Sequence, residues 1–575
     1  MGKVVLSDNA TQVAESRYFM DGENWMSCTH RVASVISTPE NERQKYLDAF
    51  HEMIHNMDFL PGGRILRNCG RPRGSLFNCY HLPVGDSIEE IGQLIKDALI
   101  LWSEGGGVGV NFSPLRPRGD KIFGKGGTSS GLVSFIQATD AVAETIESGG
   151  SRRAAAIAHV DVSHPEVMDF IDAKLVDGRI THFNISVSVN GKFLEAVESD
   201  DEWEFKFKQR SYGKVKARVI WDKIVGNMVK CAEPGLINWD NFSKNNSYYF
   251  EPVLGTNPCG ETTLGPYGVC DLGSLVLPNF ITGKVNTNWQ KLERTIKLAV
   301  RFLDNVIDVN KYTLKDIDIN AHKSRRIGIG VLGLAEYLFA KKLRYGSERA
   351  IIEIERLMQF IRNACYTASI ELAAEKGSFP AFDPIQHKKA SFVRKLPARI
   401  RADIKNFGIR NTTLMAIAPN GTISLLADYT GSGEPLFAKA YMRHDRVGDR
   451  MYIHPIYEEM LKSREEIPNW FVDTFDLSPT DHFEVQVALQ KYNDGSVSKT
   501  INLPHETTPD ELSALLLEYI TDLKGVTVYR DGCRDGQPLR RVTEEDARAY
   551  LEKNGKIESN RTEDDVRCVN GSCEL

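Results

Sequence analysis

The 575-residue sequence has no uninterrupted apolar run of the roughly 18 to 20 residues that a membrane-spanning helix needs. Its most apolar stretch, IGIGVLGLAEYLFA from Ile327, is shorter and carries Glu336. A signal-peptide layout is missing at the start, and MGKVVLS puts Leu6 where N-myristoylation wants Ser or Thr. A cytoplasmic protein with no membrane partner is therefore expected. Lopsided charge is missing too: the formal net charge is −6, which argues against a chain that coats nucleic acid. Cysteine is sparse and scattered, at 28, 69, 79, 231, 259, 270, 365, 533, 568 and 573. A secreted disulfide framework is not expected from that spacing, and catalytic or metal-binding thiols are favoured. No P-loop occurs either, because GGGVGVNFSPLRPRGD from Gly105 has the glycines without a Lys-Ser/Thr ending.

What is present reads as a large globular chain. Hydrophobic residues make up 42% and charged residues 26%, enough for a sizeable core. The length suggests several domains, although large barrels routinely exceed the usual domain size. RVASVIS and YLDAFHEMIHNM give helix-like apolar spacing near the start. Ser87 and Glu90 form an S-x-x-E capping box ahead of IEEIGQLIKDALILW, and a helix start suits anions. VSFIQATDAVAETIE and KLERTIKLAVRFLDNVIDV read as amphipathic helices. THFNISVSV alternates Phe183, Ile185, Val187 and Val189 on one face, the pattern of a half-buried strand. Strands alternating with helices give an α/β class.

The densest chemistry lies in residues 251–278, EPVLGTNPCGETTLGPYGVCDLGSLVLP, centred on Asn257-Pro258-Cys259-Gly260-Glu261. Pro258 cannot donate a backbone hydrogen bond and pushes Asn257 out of the helical region, and Gly260 loosens the chain, so the pentapeptide is expected to be extended or looped. In an extended segment Asn257, Cys259 and Glu261 would share one face, aiming an amide, a thiol and a carboxylate at one point. The plainer reading is a buried cysteine in a Pro/Gly turn. Cys270, eleven residues on, weighs against that, because a loop of this length can fold back and bring a redox partner to the first thiol.

N-P-C-G-E with its following cysteine, FLPGGRILRNCGRPRGSLFNCYHLPVGDSIEEI from Phe59, the glycine cluster at Gly105, RRIGIGVLGLAEYLF, PNGTIS and GVTVYRDG from Gly525 stand here in one order. Together they resemble the large catalytic chain of ribonucleotide reductase, most closely its adenosylcobalamin-dependent class II. The resemblance implies a ten-stranded α/β barrel of two five-stranded halves with a central finger loop. It divides the chain into a mostly helical segment 1–58, a barrel 59–540 and a flexible redox tail 541–575. No separate N-terminal regulatory nucleotide-binding cone is expected. In catalysis the resemblance makes Cys259 the thiyl radical that abstracts the 3′ hydrogen of a ribonucleotide, Glu261 the general base and Asn257 an orienting group. It makes Cys79 and Cys270 the thiol pair that supplies two electrons. Substrate contacts fall on Asn78, Asn420, Gly421, Thr422, Ser424 and Arg152. Asn420 departs from the family's threonine in P-T-G-T-I-S. A deoxynucleoside triphosphate effector would meet Asp86, Ser87 and Arg116, of which Asp86 and Ser87 read equally well as a plain helix start.

Enzymes that take their radical from a partner subunit have two adjacent tyrosines near the last strand, where this chain has Val528 and Tyr529. That favours adenosylcobalamin, although no D-x-H-x-x-G cobalamin segment occurs and the cofactor rests on the resemblance. Diphosphates are the expected substrates. The tail ends CVNGSCEL. Cys568 and Cys573 are either half a zinc site lacking nearby ligands or a mobile redox pair, on a polar linker with a reach of roughly 30 Å. The redox pair is the reading carried forward, serving a thioredoxin-like reductant, with no metal site and with a homodimer as the assembly to test. The rival readings are a subunit-dependent class I large chain and an inactive nucleotide- or zinc-binding regulatory protein.

Overall fold

The computed structural model describes residues 4–552 apart from 123, 125, 149–151, 177, 284, 446–447, 464–465 and 534–538. The first segment is helical as its spacing predicts, with helices Asp8–Arg17, Trp25–Ile36 and Arg43–His55. Asn24 and Ser27 close a capping box on the second, and Phe50 meets Phe302 edge-on at 5.2 Å. Phe302 also receives Phe59, and fully burying each such ring is worth about 1.5–3 kcal/mol. These contacts press the N-terminal helices onto helix Trp289–Val309, whose apolar stripe the sequence displays.

Ten strand positions organise the rest. Five strands, β1 Cys79–His81, β2 Gly107–Asn111, β3 Ala156–Asp161, β4 Phe183–Val189 and β5 Gly235–Asn238, are parallel and hydrogen-bonded in that order. The other half uses β6 Val269–Cys270 continuing into β7 Leu272–Val276, then β8 Gly328–Leu332, β9 Thr500–Leu503 and β10 Gly525–Arg530. β7 runs parallel to β8 and β9 parallel to β10. The stretch 415–417 joins them through parallel bridges Ile329↔Met415 and Ile417↔Val497. The halves meet antiparallel, β5 against β10 and β6 against β1. Followed around, the pairings trace the ring of two five-stranded halves that the resemblance implies.

β4 departs from the half-buried pattern. Phe183, Ile185, Val187 and Val189 are buried, but so are Ser186 and Ser188, because the polar face looks into the ring. The tail also differs at its beginning. From Leu539–Arg541 the chain adds a strand beside Ala440–Asp445 and then forms helix Glu544–Glu552, so ordered structure continues past the expected start of the linker. Among the described residues no helix is long and apolar enough to cross a membrane.

A backbone hairpin occupies the ring's interior. Gly255 pairs with Leu264 and Thr256 with Thr263, and β2 leaves room for them by having no side chain where they pass. A Cβ on Gly109 would overlap the Thr256 carbonyl oxygen, and one on Gly107 would sit 2.8 Å from Pro258 Cγ. Gly109→Ala should therefore push the hairpin outward, at a cost of about 1–3 kcal/mol. Urea unfolding checks this, and unchanged stability would mean that the hairpin yields freely.

Candidate active site

Pro258 and Cys259 are the central residues of a tight turn at the tip of that hairpin. Gly260 N–H donates to the Asn257 carbonyl at 3.0 Å, with Asn first, Pro second and Gly last, as a type I turn prefers. The segment is therefore turned, and the shared face of an extended strand is not what gathers its side chains. Asn257 Oδ1 accepts from Thr262 N–H at 3.1 Å and from the Thr256 hydroxyl at 3.2 Å, which locks the loop across its own base. Asn257 Nδ2 and Glu261 Oε2 are buried without hydrogen-bond partners. Unsatisfied polar atoms in a dry interior are costly, and here they belong to the residues two before and two after Cys259, which is half-buried.

Burial pushes the Glu261 carboxyl up to about 7, with the nearby Asn257 side chain opposing the shift. That is where a general base for neutral pH should titrate. The backbone of Glu261 is fixed from behind, since its carbonyl accepts from Ser496 N–H at 2.7 Å. Asp494 anchors the Ser496 turn, accepting from Leu414 N–H, Met415 N–H and the Tyr366 hydroxyl at 3.0, 2.8 and 2.8 Å. Lys524 donates to the Asp494 carbonyl at 2.7 Å, and burial pulls its ammonium down to about 7.

Cys79 and Cys270 are direct partners across the β1–β6 pair. Antiparallel partners have Cα atoms about 4.5–5.5 Å apart, inside the range that a disulfide spans. Separated by nearly two hundred positions in sequence, these thiols could not be placed together by spacing. Cys270 Sγ donates to Thr262 Oγ1 at 3.2 Å. Burial drives its thiol well above the ordinary range, Glu261 and Cys79 add to the rise, and Thr262 and Arg326 oppose it.

Cys79, Cys259, Glu261, Asn78, Gly421 and Thr422 line one cleft. Asn420, Gly421 and Thr422 lie at the start of helix Gly421–Ala427. Asn420 is in the left-handed region at φ 62°. Both ends of its amide are engaged, Oδ1 by the Ser274 hydroxyl at 3.0 Å and Nδ2 by the Val331 carbonyl at 3.0 Å. Its side chain ties the helix to β7 and β8. Ser424 is buried and donates to the Gly421 carbonyl at 2.9 Å. Asn78 accepts from Arg64 N–H at 3.3 Å.

The expected effector residues also meet. Arg116 grips Asp86 through its backbone N–H at 2.9 Å and its guanidinium at 3.0 Å, and Lys208 reaches the other carboxylate oxygen at 3.2 Å. Ser87 caps helix Ile88–Ser103 by accepting from Glu90 N–H at 3.1 Å. Arg152 lies on a short strand, Arg152–Arg153, and its side chain is outside the described residues, as are Cys568 and Cys573. Arg17, Tyr18, Arg64 and Arg67 also line the cleft and are absent from the sequence-based set. The available signal was Gly62-Gly63 followed by arginines three apart, which share a face on helix Gly63–Asn68.

Among the described residues no group of three or more His, Cys, Asp or Glu could hold a metal ion. Comparison with known proteins agrees with the layout of N-terminal helices followed by a barrel. The family described as ribonucleotide reductase, barrel domain, matches residues 77–529, and ribonucleotide reductase, all-alpha domain, matches residues 4–74. A vitamin B12-dependent ribonucleoside-diphosphate reductase of Thermoplasma acidophilum is 34% identical over 539 residues, covering 89% of this chain and 68% of that protein. One of the same description from Mycobacterium tuberculosis is 34% identical over 618 residues, covering 99% and 83%. A ribonucleoside-diphosphate reductase subunit alpha of Chlamydia trachomatis is 26% identical over 553 residues, covering 86% and 50%. With the barrel match alone spanning most of the sequence, this chain belongs to the ribonucleotide reductase family.

Proposed function

We propose that this chain reduces ribonucleoside diphosphates to 2′-deoxyribonucleotides through a thiyl radical on Cys259, with adenosylcobalamin as radical source. The observation that carries the reading is that Cys79, Glu261 and Cys259 line one cleft while Cys270 stands directly behind it as the strand partner of Cys79. Cys259 takes the 3′ hydrogen, Glu261 accepts the 3′ hydroxyl proton, and Asn257 holds the loop that presents both. The thiol pair gives up two electrons and becomes a disulfide while the 2′ hydroxyl leaves as water. Gly421 and Thr422, with Asn78, take the phosphate end of the substrate. Asp86, Ser87 and Arg116 serve a deoxynucleoside triphosphate effector, coupled to the base through Arg152. Thiol chemistry of this kind belongs in a reducing, cytoplasmic compartment.

Access to the thiol from one side supports the reading: Cys259 is part-exposed, and a Cβ on the adjacent Gly260 would meet nothing within 4 Å, so the Cys259–Gly260 edge is open next to the sulfur. When bound, adenosylcobalamin supplies the one-electron oxidant for the Cys259 thiol. The relatives at 34% identity are named vitamin B12-dependent, which supports this reading over a partner-subunit mechanism. The purified chain should form deoxynucleotides with adenosylcobalamin and no second protein. Activity that appears only with a radical-generating subunit would overturn the cofactor assignment.

Cys259→Ala should abolish product while leaving fold and nucleotide binding intact. Glu261→Gln should cut turnover about 10²–10⁴-fold and spare binding. The base works as carboxylate, so kcat/KM should fall as pH drops through about 7, and the Gln variant should lack that acid limb. A wild-type profile flat from mildly acidic to neutral pH removes Glu261 as the base.

The tail cysteines Cys568 and Cys573 would shuttle electrons from a thioredoxin-like protein to the interior disulfide, tethering having raised the local thiol concentration to the order of millimolar. Changing both to Ser should stop multiple turnovers driven by such a protein. One turnover from prereduced enzyme, and most activity with a small dithiol, should survive. Normal turnover with thioredoxin in the double mutant would dismiss the shuttle.

A further inference from the structure

Arg325 and Arg326 are adjacent and oppositely placed. Arg325 is neutralised by two carboxylates, Asp304 at 2.7 Å and Asp308 at 2.8 Å. Arg326 is 2% exposed, and only one of its nitrogens is bonded: Nη1 donates to the Thr263 carbonyl at 2.6 Å and reaches Thr413 Oγ1 at 3.5 Å. Nε and Nη2 have no partner. The guanidinium lies over the Tyr248 ring, 4.6 Å from its centroid. A buried charge with orphaned donors is expensive, so its location calls for a reason.

The strand register supplies one. β7 and β8 pair in parallel with Leu272 opposite Gly328, and Gly328 N–H extends the ladder to the Asp271 carbonyl at 2.8 Å. Just before this ladder, Cys270 and Arg326 reach for consecutive residues of the finger hairpin, Cys270 Sγ for Thr262 Oγ1 at 3.2 Å and Arg326 Nη1 for the Thr263 carbonyl at 2.6 Å, which brings the thiol and the guanidinium into one neighbourhood. The ionisable groups around Cys270 are Glu261, Cys79 and Arg326, and those around Arg326 are Cys270, Glu251, Asp494 and Lys524.

We infer that Arg326 is a positioning residue for the reducing thiols, a buried counter-cation that stabilises Cys270 as a thiolate whenever the Cys79–Cys270 disulfide is opened. The inference rests on the reading of that pair given above. In the forward direction two S–H bonds break and one S–S bond forms. The two electrons and two hydrogens go to the substrate, where C2′–H replaces C2′–OH and water leaves. To reset the pair, a dithiol attacks the Cys79 sulfur, the S–S bond breaks, and Cys270 departs with the electron pair. The second dithiol sulfur then displaces Cys79, the dithiol ends as its own disulfide, and both protein sulfurs take up protons. A leaving thiolate departs faster when its charge is stabilised, and in a dry interior Arg326 is the group placed to do this.

The test compares full-length wild type with Arg326→Met, Arg326→Gln and Arg326→Lys. The disulfide is formed with diamide in the absence of nucleotide, and its reduction by dithiothreitol is followed by alkylation and peptide mapping. The two neutral variants should be reduced at least about ten-fold more slowly at neutral pH, which corresponds to about 1.4 kcal/mol of barrier. Lys should recover most of the rate. Both end states of the pair are uncharged, so the dithiol–disulfide equilibrium against a dithiothreitol buffer should stay within about two-fold. Equal rates in all four proteins overturn the inference, as does a slower rate matched by an equal change in equilibrium, which signals strain. If neither neutral variant folds, Arg326→Lys decides alone. A buried lysine discharges below about pH 10, so its reduction rate should turn down in alkali where wild type keeps rising, and parallel profiles overturn the inference. Whether turnover itself makes the Cys79–Cys270 disulfide is read separately on wild type, and a negative result there counts against the proposed function alone.

Discussion

The structure depends on main chain filling a space that side chains normally fill. Barrel interiors are usually packed by inward-pointing residues from successive strands, whereas here the hairpin carrying Cys259 passes through the middle. Gly107 and Gly109 on β2 give up their side chains to let it in. Polar residues line its flanks because a threaded backbone needs partners. Asn111 Nδ2 donates to the Leu254 carbonyl at 3.1 Å, and Ser188 bonds His159 at 3.1 Å. Burial holds His81 and His159 neutral, lowered to about 4 and about 3, so this flank of the interior is polar without being charged.

Exclusion of water then governs the chemistry. The same desolvation that raises Glu261 to about 7 raises Cys270, lowers Lys524 and raises Asp494. In such surroundings a charge persists only beside a specific partner. Glu261 and Asn257 each keep a buried polar atom without a partner there.

Much of this was legible in the sequence, and the reasons for what was not are physical. Helices announced themselves by apolar spacing and by local caps such as Ser87, because those signals lie within a few residues of one another. The identity of the reactive loop was visible in Pro258 and Gly260, yet its form was not, since an extended chain and a type I turn both tolerate those residues. Register between distant strands leaves no local mark, so the facing of Cys79 and Cys270 came from resemblance before the strand pairing showed it. Ser186 and Ser188 looked like a solvent face because a polar alternation cannot say whether it meets bulk water or a polar interior. Asn420, in a family phosphate motif, has its amide bonded to Ser274 and Val331, a tertiary commitment that no motif encodes.

The N-terminal helices cannot be treated as a cover laid over a finished barrel. Strand Phe59–Pro61 pairs antiparallel with β7, Phe59 opposite Leu275, and Gly62 N–H donates to the Leu272 carbonyl at 2.8 Å. β7 is the strand that continues directly from Cys270 and stands beside the strand led by Arg326. Through it the helical segment is tied to the strand that follows Cys270, and through Arg17, Arg64 and Arg67 it places cationic groups along the cleft that holds Cys259. A displacement of this segment would therefore move the thiol pair's strand and the mouth of the cleft together. The site is built where the helical segment, the ring and the finger share one strand, which is why sequence boundaries drawn between them do not mark where the machinery divides.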